Sequence, residues 1–226
     1  MRITTFVLAL ALALPTSAAF GQQAQQTQDE AALATLRAAM TPAAYTSFTA
    51  ELRAARDQGL PTQPLVAKAL EGAAKNVPGE RILAAVRQTT QELNRARTLL
   101  QPAGGVTAAE ISAVATAMQR GVPADAVSRL AADAGGRGGV GLSAHVLADI
   151  MAHGVPVSVG VEVLGAWRSH GADPNRLNEI PGAVERLVRQ GVVPARAAAA
   201  IGAGLRAGRT PGSIGPVDVP RLIGGG

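Results

Sequence analysis

Apolar positions along most of this chain recur at helical rather than strand spacing. After Val122-Pro123, the residues Val127, Leu130, Ala131 and Ala134 fall at i, i+3, i+4 and i+7, one face of a helix. Between Pro78 and Leu100, the positions Ile82, Val86, Leu93 and Leu99 keep the same approximate period, which predicts one longer helix near 78–100. Upstream, the pattern predicts a helix from about Asp29 to Met40, then a second from Thr41-Pro42 to about Gln58. One stretch competes with this reading. "VPVSVGVEV" (155–163) places Val at every second position, a strand signal, yet Val157, Val161 and Leu164 also share a helix face. We read it as helix, because the unit that contains it closes at Gly171 as its neighbours close.

The polar punctuation between these segments repeats. Gly, an apolar residue and then Pro appear as "GLP" at 59, "GVP" at 121 and 154 and "GVVP" at 191, with "NVP" at 76 as a variant. Looser forms begin at 104, 138, 171 and 208, and most intervals are about 17 residues, with a longer one from 76 to 104. Gly suits the left-handed position just past a helix end, and Pro suits the first turn of the next helix. The fold class that follows is all-α. It is an array of short helices joined by Gly-x-Pro turns with a period near 17 residues, in an irregular right-angled or solenoid-like stack. Helices this short are marginal alone and must stack to bury their apolar faces. Thr107 with Glu110 spells a capping box at the start of one of them, and Ser143 reads as the N-cap of a helix over 144–153.

The first 21 residues differ. "MRITTFVLALALALPTSAAFG" has a basic start, a short apolar run from Phe6 to Leu14, then Pro15 and small residues, the layout of a secretory signal peptide cleaved after Gly21. The run is too short for the roughly 20 residues of a membrane-spanning helix. The expected organisation is therefore a signal peptide (1–21), a polar linker "QQAQQTQ" (22–28), an N-terminal helical part (29–103), a helical array (104–207) and a Gly/Pro-rich, irregular tail (208–226). No transmembrane anchor is expected, and the expected location is periplasmic or secreted.

Composition narrows the chemistry. The absence of Cys removes disulfides and thiolates. Beyond Gly21 only Tyr45, Phe48 and Trp167 are aromatic, which favours small-residue helix packing and argues against the stacking platforms of single-strand nucleic-acid binding. Trp167 falls beside Val163 and Leu164 and reads as packing. The net charge is +5, and Arg186, Arg189, Arg196, Arg206, Arg209 and Arg221 face only one acid, Asp218, in the last stretch. Five of them (Arg186, Arg189, Arg196, Arg206, Arg209) are candidates for binding an anionic envelope polymer or lipid, against the plainer reading of a solvated basic surface.

His145, Asp149 and His153 sit four residues apart in "HVLADIMAHG" (145–154). His145 and His153 lie about 12 Å apart along a helix, too far to share one zinc ion at bonds of about 2 Å. If neighbouring helices are antiparallel, the compatible metal set is His145, Asp149 and His170, which a metal-dependent hydrolase would use. The competing reading is structural: His153 and His170 precede Gly154 and Gly171, as Lys75 and Arg120 precede Asn76 and Gly121, where a donor side chain serves the last helical turn. "GRGGVG" (136–141) has the G-x-G-x-x-G spelling but follows a helical segment instead of a strand, so it reads as a turn. Glu71 and Lys75 form an i,i+4 pair. No Ser/His/Asp set or paired carboxylates stand out, and no cofactor is expected.

"KALEGAAKNVPGERI" (68–82) resembles segments of uncharacterised secreted bacterial proteins of all-helical type, mainly over 59–100. The resemblance implies helices and carries no activity. The preferred expectation is an exported, non-enzymatic helical interaction module of the envelope, whose partner is a protein or an anionic envelope component.

Overall fold

A computed structural model describes residues 30–135, 138–170 and 173–224. The expected signal peptide and the whole of the polar linker lie outside these residues. The described chain is all-α: eleven α-helices, three short 3-10 turns and no strand. The helices are α1 (30–39), α2 (Pro42–Asp57), α3 (Gln63–Ala74), α4 (Gly79–Leu100), α5 (Ala108–Gln119), α6 (Ala124–Ala134), α7 (Val140–Ala152), α8 (Val157–Ser169), α9 (Pro174–Arg189), α10 (Pro194–Arg206) and α11 (Val219–Ile223). The contested 155–163 stretch starts α8, and the longest helix, α4, falls where the long apolar period places it.

Six of the helix ends share one hydrogen-bond pattern. At Gly121 the backbone N–H donates to Met118 O (3.0 Å), and that of Val122 reaches back to Ala117 O (3.1 Å). The same pair of bonds recurs at Gly59-Leu60, Asn76-Val77, Gly154-Val155, Gly191-Val192 and Gly208-Arg209. This is the Schellman arrangement, and it needs a left-handed residue at its turn. The five glycines have φ from +70° to +99°, and Asn76 at +53° is the one non-glycine with positive φ among the described residues. At three of these turns the apolar residue after the Gly also acquires a role. Val122, Leu60 and Val155 are buried against the helix they terminate, together with Ala117, Ala55 and Ile150, the hydrophobic contact that accompanies this motif.

The pattern corrects one expectation. Side chains just before these turns do not generally serve the last carbonyls, because backbone N–H groups already occupy them. Lys75 bonds Glu71 instead (2.6 Å), and Arg120 reaches across to Asp149 (2.6 Å). His170 is the exception, with Nδ1 3.2 Å from Ala166 O.

In the second half, each helix packs beside the helix two places on: α5 on α7, α6 on α8, α7 on α9 and α8 on α10. Contacts between sequence neighbours join these into two interleaved rows. Small residues set the approach. A Cβ built on Gly141 would lie 3.0 Å from Ala113 Cβ and 3.2 Å from Glu110 Cα, so α5 and α7 touch nearly backbone to backbone. A Cβ on Gly160 would meet Leu147 Cδ1 at 2.4 Å. Phe48 is fully buried, and Trp167 is nearly so, with its Nε1–H donating to Asp173 O (2.8 Å) and the Arg168 guanidinium 5.5 Å from its ring centre.

The expected divide near 103/104 is a change of connection and not a break in packing. α4 packs on α2, α3, α5 and α6, and the buried apolar residues from Leu36 to Val219 form one continuous cluster. The segment after Gly208 is also more ordered than its composition predicts. It folds into 3-10 turns at Pro211–Ser213 and Pro216–Asp218 and then α11, burying Ile214 and Val219. Ile214 fits there because Gly204 leaves a notch: a Cβ on Gly204 would lie 2.4 Å from Ile214 Cδ1.

Candidate functional site

α7 presents His145 and Asp149 on its outer face, four residues apart as the sequence requires. His145 Nε2 lies 3.5 Å from Asp149 Oδ2. The other carboxylate oxygen accepts from Arg120 Nη2 (2.6 Å), at the end of α5. The carboxylate thus ties two adjacent helices of one row. His170 does not join it. Among the described residues no group of three or more His, Cys, Asp or Glu side chains is placed to hold a metal ion. The set His145, Asp149 and His170 is therefore not assembled: His170 ends α8 on its own last-turn carbonyl, and His145 is more than half exposed beside a carboxylate already held by an arginine.

Ser143 and Glu110 have roles different from those their spacing predicts. α7 begins four residues earlier than expected, at Val140, after Gly138 and Gly139 with φ of +68° and +77°. Ser143 is therefore inside the helix and fully buried. Its hydroxyl donates to Gly139 O (3.0 Å) and accepts from Arg168 Nη2 (3.2 Å). Thr107 caps α5 as expected, accepting from Glu110 N–H (3.2 Å). The Glu110 carboxylate does not complete a capping box. It accepts instead from Gly139 N–H (2.8 Å) and Val140 N–H (3.1 Å), and so caps α7. A carboxylate is a good acceptor there, because the first-turn N–H groups of a helix lack partners. The Gly-rich stretch, of which 138–141 are described, is accordingly the α6–α7 connection held by an acid, with no strand before it.

The C-terminal arginines divide by environment. Arg186 Nη2 donates to three carbonyls of the following segment, those of Pro211, Gly212 and Ile214 (3.4, 3.3 and 3.2 Å). Arg209 chelates Asp218 (3.1 and 3.2 Å) and also bonds Ser213 O (2.8 Å). Asp218 takes a further bond from Gly215 N–H (2.8 Å), and these partners, Arg209 first, hold its carboxyl below the ordinary carboxylate range. Arg189 pairs with Glu185 (3.4 Å). Three of the five candidate anion-binding residues thus have partners within the chain. Arg186 and Arg209 explain why a Gly/Pro-rich tail is folded. Arg196 and Arg206 are exposed and make no ion pair among the described residues.

Arg206 also borders a surface groove. α8 and α10 lie so close that a Cβ on Gly202 would be 3.4 Å from Val163 Cγ2. Their outer faces and α11 enclose a groove of about 290 Å³. Its floor and walls are aliphatic or small, including Val159, Ala199, Gly202, Ala203 and Leu222, and its charged members are Glu162 and Arg206. Glu162 is exposed and, like Arg206, has no ion-pair partner among the described residues. Sequence reasoning took Arg206 as one charge in a basic run and missed the groove. The signal was the small-residue run 197–204, whose Ala199 and Ala203 fall on the same helical face as Arg206. Comparison with protein-family models, with curated proteins and with solved structures gives no match for this chain.

Proposed function

We propose that the protein is an exported, non-enzymatic helical interaction module of the bacterial envelope. The observation that carries this reading is the groove between α8, α10 and α11. Its lining combines small and aliphatic side chains with Glu162 and Arg206, its accessible surface is mostly polar, and it is mounted on a stacked core. Its lining holds no nucleophile or paired carboxylates. Stacked helices suit the role, because each helix braces its neighbours and leaves their outer faces free for contact. The argument for export is the sequence of residues 1–21.

Fractionation and crosslinking test both parts. In the native cell, the chain recovered from the envelope or periplasmic fraction is expected to begin at Gln22. After crosslinking in intact cells and purification under denaturing conditions, a discrete protein or envelope component is expected to remain attached. Recovery of the chain from the cytoplasm with Met1 in place would refute export. A chain that stays monomeric and unattached under crosslinking would refute the module.

A further inference from the structure

We propose that residues 209–224 are the end cap of the helical array and shield the ends of both rows from a second copy of the chain. The pairing of each helix with the one two places on runs out at α9 and α10. The C-terminal segment stands where the next two helices would stand: its turn Pro211–Ser213 packs on α9, and α11 packs on α10. Both helices build its seat. Ile214 enters the Gly204 notch of α10, and Pro211 and Val219 are buried as well. From α9, Arg186 holds the carbonyls of Pro211, Gly212 and Ile214, and a Cβ built on Gly212 would lie 3.7 Å from Glu179 Oε2. The cap is an addition to the array and not part of its support. α10 closes on its own Schellman turn at Gly208-Arg209, so it keeps those bonds when the cap leaves, and α8, α9 and α10 contact one another directly. Stacked arrays need terminal units with a polar outer side, because the last inner face is apolar. Gly212, Ser213 and Arg221 are exposed on the cap, with Val217 the apolar exception. Without the cap, the notch and the surface that Pro211, Ile214 and Val219 cover would face water. A second copy offers the same surface, and a two-fold pairing needs only one kind of surface. The other end of the array is covered by α4, which packs on α5 and α6 and also carries α2 and α3. Pairing therefore stops at two chains and does not grow into a filament.

The test is sedimentation velocity of the purified full chain at rising concentration, with amide exchange measured on the same samples. The parent chain is expected to sediment as one chain throughout. Ile214→Asp places a charge in the Gly204 notch. The amides of Ser213, Asp218 and Gly224, each bonded within the cap, are then expected to lose protection while those of α7 and α8 keep theirs. The weight-average mass is expected to rise toward two chains as concentration increases. Adding Gly204→Asp to that variant charges the uncovered face and is expected to return the mass to one chain with the cap still open. Arg209→Glu, which sets a like charge against Asp218, replaces Ile214→Asp if that variant loses protection in α7 and α8. A chain that stays single with its cap open would overturn the shield, as would association of the parent with its cap closed. A mass rise that Gly204→Asp does not reverse, or growth beyond two chains, would overturn the capped face as the pairing surface. A cap that stays protected in both variants, or loss of α7 and α8 in both, would overturn a cap added to an intact array.

Discussion

Removing the Glu110 carboxylate tests how the rows are tied together. Glu110 belongs to α5 by sequence, yet its side chain accepts the N–H groups of Gly139 and Val140, about thirty residues on. Glu110→Ala leaves both donors to water or unpaired. A bond to a charged group contributes roughly 1.5–3 kcal/mol net, and an N-cap about 0.5–2 kcal/mol. The Glu110 side chain is half-buried and water can reach the Gly139 N–H, so the lower part of these ranges applies, about 1–2 kcal/mol. At roughly 2–4 °C per kcal/mol for a chain of this size, the melting temperature falls by about 2–8 °C. Glu110→Gln keeps an acceptor oxygen and is expected to lose less than half as much. Thermal unfolding followed by far-ultraviolet circular dichroism gives the magnitude, and amide exchange by NMR gives the location. Exchange should accelerate at Gly139 and Val140 in Glu110→Ala, and at Glu110 itself in Thr107→Ala, since the Thr107 hydroxyl holds that amide. An unchanged melting temperature with intact protection at Gly139 and Val140 would refute the cross-helix cap. Faster exchange at the Thr107 amide in Glu110→Ala would restore the ordinary capping box in its place.

Three further predictions concern packing, turns and the tail. Gly141→Leu should destabilise by about 1–3 kcal/mol or more, because α5 leaves no room for it, whereas Gly165→Ala, with nothing within 4 Å of its added Cβ, should stabilise by about 0.5–1 kcal/mol; urea midpoints of the pair decide this. Gly121→Ala should cost about 1–2 kcal/mol, since φ of +99° is open to Gly and strained for Ala, and an unchanged midpoint would remove the left-handed turn there. The Arg209–Asp218 clasp should open in acid. The folded Asp218 carboxyl titrates below its unfolded value of about 4, so its stabilisation is present above that value and is lost as pH falls through the lower, folded pKa. Asp218→Asn should therefore expose Arg209 and Arg221 to trypsin at neutral pH, and cleavage no faster than in the parent chain would show that the clasp does not hold the tail.

The fold was legible where local chemistry decides it. Gly121, Val122 and Pro123 announce a helix end and a new start within three residues, and the same spelling recurs along the chain. Val157, Val161 and Leu164 could be read as helix only because the unit around them closed as its neighbours did; alternation of Val alone pointed to a strand. What remained hidden depends on residues distant in sequence. Glu110 stands where a capping box would be local, and only the close approach of α5 and α7, permitted by Gly141, turns its carboxylate to Gly139. Ser143 became buried because Gly139 starts α7 early. The tail folds because Arg186 and Arg209 reach its carbonyls and Asp218, which its Gly/Pro composition does not reveal. Among the candidate site residues, the i,i+4 spacing of His145 and Asp149 was local and is realised, whereas the position of His170 depended on helix packing, and the arginine that meets Asp149 comes from α5. The groove was invisible for the same reason: it is formed by α8 and α10, whose sequences are separated by all of α9.

The most direct measurement for the central claim is site-specific photocrosslinking in the native cell. A photoreactive residue at Ala203, inside the groove, is expected to give a discrete adduct of higher mass, and one at Thr46, on the exposed side of α2, is expected to give none. Adducts at neither position, or the same adduct at both, would contradict a module that meets its partner at the α8/α10/α11 groove.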